Sequence, residues 1–329
     1  MHFTFEEAIE FVSNIFLKEG LSSSSATSVA HALVDAEAAG QGGHGFRRIP
    51  VYVQQLRKGK VNGSSVPVAT RARPAVLSID AGLGYAYPAI DLAVKELPAI
   101  AREQGIALAA IGRSHHAGVL GITVERFAKE GLVCLMVANA PASMAPWGGS
   151  KALYGTNPIA FAAPIEGQEP LVIDLALSKV ARGKIMAARQ KGTTIPDDWA
   201  FDIYGKPTTD PQEALEGFMA PAGDAKGAAL ALMVEILAAS LTGGNFSFQA
   251  DSLLDDKGSA PSLGHLIIAI DPSFVSGEAL TNRLLYLAQE IEGQEGTRLP
   301  GRRSQMLKAK AYLEGLSVDD DVLDAISKL

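Results

Sequence analysis

Val76-Leu77-Ser78-Ile79-Asp80-Ala81-Gly82-Leu83-Gly84-Tyr85-Ala86-Tyr87 is the stretch on which the fold turns. Val76 to Asp80 reads as a strand, Ala81 to Gly84 as a turn, and Pro88 to Gln104 as a helix, the order found in dinucleotide-binding units. Gly82 and Gly84 supply two glycines of the phosphate fingerprint, but Tyr87 stands where the third belongs. The Rossmann phosphate loop is therefore not made, and a dinucleotide, if bound, is held by another architecture.

On either side of this stretch the chain alternates between helical and extended patterns, which predicts an α/β fold. Thr4 and Glu7 have capping-box spacing ahead of a helix that ends near Gly20, and a second helix runs from Ser22–Ser25 to Gly40. Further strands are expected at Ile106 to Ile111, Leu132 to Val137, Leu171 to Ala176 and Leu266 to Ile270. The nearly unbroken apolar run Leu132 to Val137 suits a sheet covered on both faces. Asn139 to Gly149 and Tyr154 to Pro164 are dense in structure breakers and read as fixed loops, and Pro196 to Pro211 as a surface excursion. Helices follow at Ala228 to Leu241, Ser276 to Glu292, Ser304 to Gly315 and Val318 to Leu329, with Met219 and Met233 expected as core filler in helical context.

Composition narrows the function classes. With 329 residues, 47% hydrophobic and 20% charged, the chain can bury a substantial core. A formal charge of -7 without any basic block argues against nucleic-acid or anionic-membrane surfaces. The single Cys134 permits no intrachain disulfide, and the first residues carry acid where a signal peptide carries positive charge, so a cytoplasmic setting is expected. The longest apolar segment, Gly227 to Leu241, contains Glu235 and falls short of the roughly 20 residues that a membrane span requires. No metal site is expected.

Chemistry concentrates in Gly42-Gly43-His44-Gly45-Phe46-Arg47-Arg48-Ile49-Pro50-Val51-Tyr52. If this segment is helical, His44, Arg48 and Tyr52 share one face and present an acid/base, a carboxylate clamp and a phenol. The blander alternative is a glycine loop in which His44 packs and Arg48 faces water, and Arg47 competes with Arg48 for the clamp. A polar loop, Gly112 to Gly118, follows a strand and holds His115 and His116, the first either orienting the second or simply packing. Lys226 among small residues at a helix N-terminus is a phosphate-binding arrangement on physical grounds, though such lysines are more often plain loop. His2, His31 and His265 read as surface or packing residues, and Trp147 either covers a ligand or folds its loop.

Taken in order, His44-Gly45 with Arg48 and Tyr52, Ser114 with His116 and Gly118, Ala145 to Gly149, Gly155 to Phe161, Asp174, Lys226-Gly227 and Leu299-Pro300-Gly301 resemble the malate/L-lactate dehydrogenase-type oxidoreductases, which are unrelated to the Rossmann lactate dehydrogenases. The resemblance covers essentially the whole chain. It implies a non-Rossmann, sulfolactate dehydrogenase-like α/β fold: a mixed-sheet cofactor lobe, residues 116–299, and a second lobe from residues 1–115 with the C-terminal helices, residues 300–329. It implies hydride exchange between NAD or NADP and the carbon next to a carboxylate, on a 2-hydroxy or 2-oxo acid of malate, lactate or sulfolactate type. The alternative within the family is a cyclic imino-acid reductase acting on pyrroline- or piperideine-2-carboxylate. A homodimer with the site near the subunit interface is implied as well.

By the same resemblance His44 or His116 is the acid/base, Arg48 holds the substrate carboxylate, and Tyr52 and Thr156 line the pocket. Ser143, Pro146, Trp147, Gly148, Asp174, Leu175, Ala176, Ser178, Lys226, Gly301, Arg302 and Arg303 surround the cofactor, with Lys226 and Arg302 or Arg303 as phosphate partners. Ser178, Lys179 and Arg182 lean toward a 2'-phosphate. The chain departs from its relatives at Gly43, where many carry a serine that the cyclic-imine reductases are described as using in a relay with the histidine and an aspartate. Lys184 stands near the place expected for that aspartate, and both departures favour the oxoacid reading. Ala117 and Asp224 also replace residues common in the family, an aromatic and a glycine.

Overall fold

A computed structural model describes residues 1–276 and 279–329. Its strands are β1 His2–Phe3, β2 Val68–Arg73, β3 Val76–Asp80, β4 Ile106–Ser114, β5 Val133–Ala138, β6 Ile159–Ala163, β7 Leu171–Leu175, β8 Ala200–Phe201, β9 Phe218–Met219, β10 Leu263–Ile270 and β11 Leu316–Ser317. Its helices are α1 Phe5–Lys18, α2 Ser23–Ala38, α3 Ile49–Arg57, α4 Ala86–Gln104, α5 Leu120–Lys129, α6 Arg182–Lys191, α7 Pro211–Glu216, α8 Ala225–Glu235, α9 Ala279–Glu292, α10 Arg302–Glu314 and α11 Asp320–Ser327.

Seven strands form one sheet in the order β2-β3-β4-β10-β5-β6-β7, in which β3 and β4 run parallel and every other pair antiparallel. The architecture is thus mixed α/β and non-Rossmann, as the missing third glycine predicts. Apolar residues on one face of this sheet pack against α4 and α5, including Leu97, Ile111, Phe127 and Ile267. The other face meets α6 and α8 through Ile185, Val234 and Leu266. A second core gathers Phe5 to Val61 of the opening helices with Ala311, Val322 and Ile326 of the last two. The capping box at Thr4 and Glu7 is formed, each side chain bonding the other residue's backbone N–H. The residue-115 boundary falls between β4 and α5, so the one sheet takes strands from both sides of it.

Several local expectations need correcting. β2 and β6 occupy stretches that carry no strand in the sequence reading, and β8 pairs with β9 at the start of the supposed surface excursion. Met219 belongs to β9, not a helix, and is buried, whereas Met233 is 42% exposed and fills no core. α8 stops at Glu235 and passes into a π-helical turn, Ile236–Ser240, where the backbone of Gly264 comes so close to the Ala238 carbonyl that a Cβ would lie 1.7 Å from it. The last helix starts at Asp320 because Leu316–Ser317 is drawn into pairing with His2–Phe3. The helix start expected at Ser276 abuts residues 277–278, which lie outside the described residues; α9 is described from Ala279.

Candidate active site

The segment from Gly42 to Tyr52 is not one helix. Two 3-10 turns, Gly42–His44 and Phe46–Arg48, are separated by Gly45 in a non-helical conformation, φ -97° and ψ -134°, and α3 begins only at Ile49. The cause is Glu37 of α2, whose carboxylate accepts the Phe46 N–H at 2.9 Å and lies where a Cβ on residue 45 would sit, 2.2 Å away. His44, Arg48 and Tyr52 therefore do not share a helical face. His44 and Tyr52 instead meet the same ring, His116, from different directions.

His116 stands in the loop after β4. Its ring stacks on His44 with centroids 5.0 Å apart and planes 15° apart, while its Nδ1 lies 2.7 Å from the Tyr52 hydroxyl. That hydroxyl also meets the Tyr87 hydroxyl at 3.1 Å, and Tyr85 donates to the Tyr52 carbonyl at 2.9 Å. Tyr52 is fully buried, so it backs His116 and does not line an open pocket. His115 is buried edge-on to Tyr52 and Tyr85, the packing role, and His265 is buried with Nε2 near Ser114 Oγ and the His115 carbonyl.

Burial lowers the pKa of all four rings. His44 falls to about 4, from burial first and the Arg48 cation second. His116 falls well below its ordinary value through burial, Arg48 and the neighbouring histidines, and His115 and His265 fall to about 3 and 4, burial leading in both. In each ring burial favours the neutral form. The two arginines differ in their contacts: Arg47 pairs with Asp319 at 2.8 Å and Asp321 at 3.0 Å, whereas Arg48 bonds the carbonyls of Gly43 at 2.8 Å and Leu253 at 3.4 Å. Arg48 thus has no acidic partner among the described residues.

The residues expected around a cofactor lie along one backbone path. β7 carries Asp174, whose carboxylate accepts the Gly121 N–H at 2.7 Å; desolvation raises its pKa and that bond opposes the rise. A cleft of about 310 Å³ opens there between Ala39, Gln41 and Lys308 on one side and Gly121, Asp174 and Gly301 on the other. Gly301 has φ +84° and lies so close to β7 that a Cβ would meet the Val172 carbonyl at 2.8 Å. Beyond Leu175 and Ala176 the chain bonds Leu177 N to Thr156 O at 2.8 Å and Ala222 N to Leu177 O at 2.8 Å, which leads to Lys226, exposed in the first turn of α8. Met219 N bonds Ser143 O at 2.8 Å and brings in the loop with Pro146, Trp147 and Gly148, where Trp147 is 58% exposed.

Some expected partners are already engaged. Arg302 bonds Gln168 Oε1 at 2.6 Å and the Glu169 carbonyl at 3.1 Å, which leaves exposed Arg303 as the freer cation of the pair. Ser178 bonds the Val180 carbonyl, Lys179 pairs with Asp198 at 2.5 Å, and Arg182 bonds the Leu215 carbonyl at 3.2 Å. Lys184 is exposed on α6. The sequence reading missed Tyr87, noticed only as a glycine that is absent, and Lys60. No local pattern marks either, because each acts on residues distant along the chain.

A mixed-sheet α/β unit with a stacked histidine pair, and an arginine that has no acidic partner among the described residues, is not the Rossmann dehydrogenase arrangement. The chain matches the malate/L-lactate dehydrogenase family over residues 3–327 and belongs to it. It is 50% identical over 297 residues to the (2R)-3-sulfolactate dehydrogenase (NADP(+)) of Chromohalobacter salexigens, covering 90% of this chain and 88% of that one. It is 39% identical to a Δ1-pyrroline-2-carboxylate/Δ1-piperideine-2-carboxylate reductase of Pseudomonas putida, covering 99% and 96%. Among solved structures it resembles the Δ1-piperideine-2-carboxylate reductase of Pseudomonas syringae with a TM-score of 0.94 at 37% identity, covering 100% and 99%. The sulfolactate dehydrogenase of Methanocaldococcus jannaschii gives 0.91 at 30%, covering 100% and 96%.

Proposed function

We propose that this chain is an NAD(P)-dependent oxidoreductase that interconverts 2-hydroxy and 2-oxo acids, with sulfolactate and sulfopyruvate as the first pair to test. The observation that carries the reading is His116, fixed between the Tyr52 hydroxyl and the His44 ring and close enough to Arg48 to feel its charge. The NADP-dependent sulfolactate relative at 50% identity supports it.

The residues present fit a dinucleotide. Ser143 has a buried hydroxyl with no partner among the described residues, Lys226 sits at a helix N-terminus, and Gly301 leaves room that a Cβ would take. The bound cofactor gives or takes a hydride at the carbon next to the carboxylate. Arg48 grips the carboxylate through N–H groups not committed to Gly43 and Leu253 and so orients that carbon. With His116 Nδ1–H donated to Tyr52 and the Tyr52 hydroxyl donated on to Tyr87, the lone pair rests on Nε2, ready to take the substrate hydroxyl proton. For reduction Nε2 first takes up a proton from water, and burial, which disfavours the charged ring, then favours its transfer to the substrate oxygen.

A homodimer is part of this reading: α8 and the chain after it expose Leu230, Leu232, Met233, Ile236, Leu241 and Phe248, apolar area of the kind a second copy covers. A cytoplasmic setting accords with the lone, buried Cys134. Among the described residues no helix is long and apolar enough to cross a membrane.

The cyclic imino-acid reductase reading is favoured by the 0.94 structural match and weakened by Gly43. A screen that follows NADH and NADPH absorbance with pyruvate, oxaloacetate, sulfopyruvate and pyrroline-2-carboxylate separates the two. Preference for an oxoacid is expected, and clear preference for the imine overturns the first reading.

A further inference from the structure

We infer that Lys60 is a positioning residue for the carboxylate clamp, acting on Arg48 through the segment 251–259; this rests on the role given to Arg48 above. At the end of α3 the chain turns at Gly59, with φ +72°, and sends the Lys60 side chain inward, where it is 0% exposed. A buried ammonium is costly unless its N–H groups are all satisfied. Here the partners are backbone carbonyls of one loop: Ser252 at 2.6 Å, Lys257, and Asp255 at 3.4 Å. The nearest carboxylate, that of Asp255, is 3.9 Å away and 43% exposed.

The rest of the segment is fastened around this cation. Gln55 Nε2 donates to the Asp255 carbonyl at 2.7 Å, and Asp251 closes the neck by accepting from Ser259 N at 2.7 Å and Oγ at 3.0 Å. On the approach to it, Ser247 donates its N–H and hydroxyl to the buried Glu235 carboxylate at 2.5 and 2.6 Å. The chain is therefore pinned to the sheet lobe at Ser247 and to the helical lobe at residues 252–257. Between the Lys60-bound carbonyls of Ser252 and Asp255 lies Leu253, whose own carbonyl accepts from Arg48. The Arg48 guanidinium is held at one edge by Gly43 and at another by a carbonyl whose place the buried ammonium sets. Packing alone would be served by methionine; a cation that draws carbonyls inward orients a loop.

The test is steady-state kinetics of sulfopyruvate and oxaloacetate reduction with NADPH in Lys60→Met, Arg48→Leu and the double variant of the full-length protein. Lys60→Met is expected to raise KM about tenfold with a smaller change in kcat, because a clamp displaced by a fraction of an ångström loses alignment before it loses charge. NADPH affinity, read by fluorescence titration, is expected to stay within about twofold of the parent, which a general loss of structure would not allow. In the Arg48→Leu background the Lys60 change is expected to add nothing, since the two act as one unit. Full additivity of the two substitutions overturns the inference while leaving the clamp intact. An unchanged KM in Arg48→Leu alone overturns the clamp itself and this inference with it. Should Lys60→Met not fold, Gln55→Leu loosens the same loop at Asp255; a smaller rise in KM is expected, and no rise overturns the inference.

Discussion

The histidine cluster and the cofactor path are built on opposite terms. Around His116 the contacts are closed within the chain: Tyr52 and His44 meet the ring, Tyr87 backs Tyr52, and burial lowers the ring's pKa. Along the cofactor path the groups with the most chemistry, Lys226, Trp147 and Arg303, stand exposed, and the buried Ser143 hydroxyl has no partner among the described residues. The difference follows from what each region does in the proposed reaction. A proton donor has to be aimed before substrate arrives, whereas groups that grip a long polyanion gain most if their charge is unspent until it binds. Damage to the first region should therefore appear in kcat, and damage to the second in cofactor affinity.

The largest effect is expected at His116. Replacement by Ala should lower kcat by about 10²- to 10⁴-fold, the usual worth of general acid–base help, with little change in NADPH affinity. His44→Ala should cost less, since no orienting hydrogen bond holds His44 and its Nδ1 is buried without a partner among the described residues. The reverse order would move the proton to His44. The acid limb of the pH profile for hydroxyacid oxidation should fall below the ordinary imidazole value of about 6.5, because burial lowers the pKa of His116. Stability carries the same sign. His44, His115 and His265, at about 4, 3 and 4 when folded, ordinarily titrate near 6.5, so the unfolded chain takes up protons first. Stability present above about 6.5 should be lost as pH falls through 4, and Tm measured across that window checks it.

Arg48→Leu should come next, with KM for 2-oxo acids raised about 100-fold, and Arg48→Lys should recover part of this because an ammonium keeps the charge but loses the planar fork. An unchanged KM removes the clamp. On the exposed side Lys226→Ala should raise Kd for NADPH about tenfold and leave kcat at saturating cofactor nearly intact. A fall in kcat with unchanged Kd would break the contrast between the two regions.

How far the sequence showed this in advance depends on the distance between partners. Tyr87 in place of a third glycine excluded the Rossmann loop, and the apolar run ending at Val137 announced a strand covered on both faces; both are local signals and both hold. His44 and His116 were marked by glycine-rich surroundings, but their stacking joins residues far apart in the chain, and no periodicity encodes that. The helical face drawn through His44, Arg48 and Tyr52 failed because Glu37, in the preceding helix, holds Gly45 in a non-helical conformation. β2 escaped notice because Val68-Ala69-Thr70-Arg71-Ala72-Arg73 is an edge strand with mostly exposed side chains, and so lacks a buried apolar pattern. Nothing local marks Lys60, a lysine after a glycine; only the loop folded over it makes it a buried cation.

The smallest expected effect is the one that bears most on substrate class. A Cβ at Gly43 would meet nothing within 4 Å, and its φ does not lie in the left-handed region, so Gly43→Ser should shift stability by less than about 0.5 kcal/mol. Its hydroxyl would stand next in sequence to His44, where the cyclic-imine reductases carry the serine of their relay. If that missing hydroxyl helps make this site an oxoacid reductase, the variant should gain a few-fold in kcat/KM for pyrroline-2-carboxylate relative to sulfopyruvate, measured by NADPH absorbance under identical conditions. His116, held by Tyr52, should keep oxoacid turnover near that of the parent. A serine that leaves that ratio unchanged would mean that His44 has no part in choosing the substrate, and that the stacking serves only to keep His116 aligned.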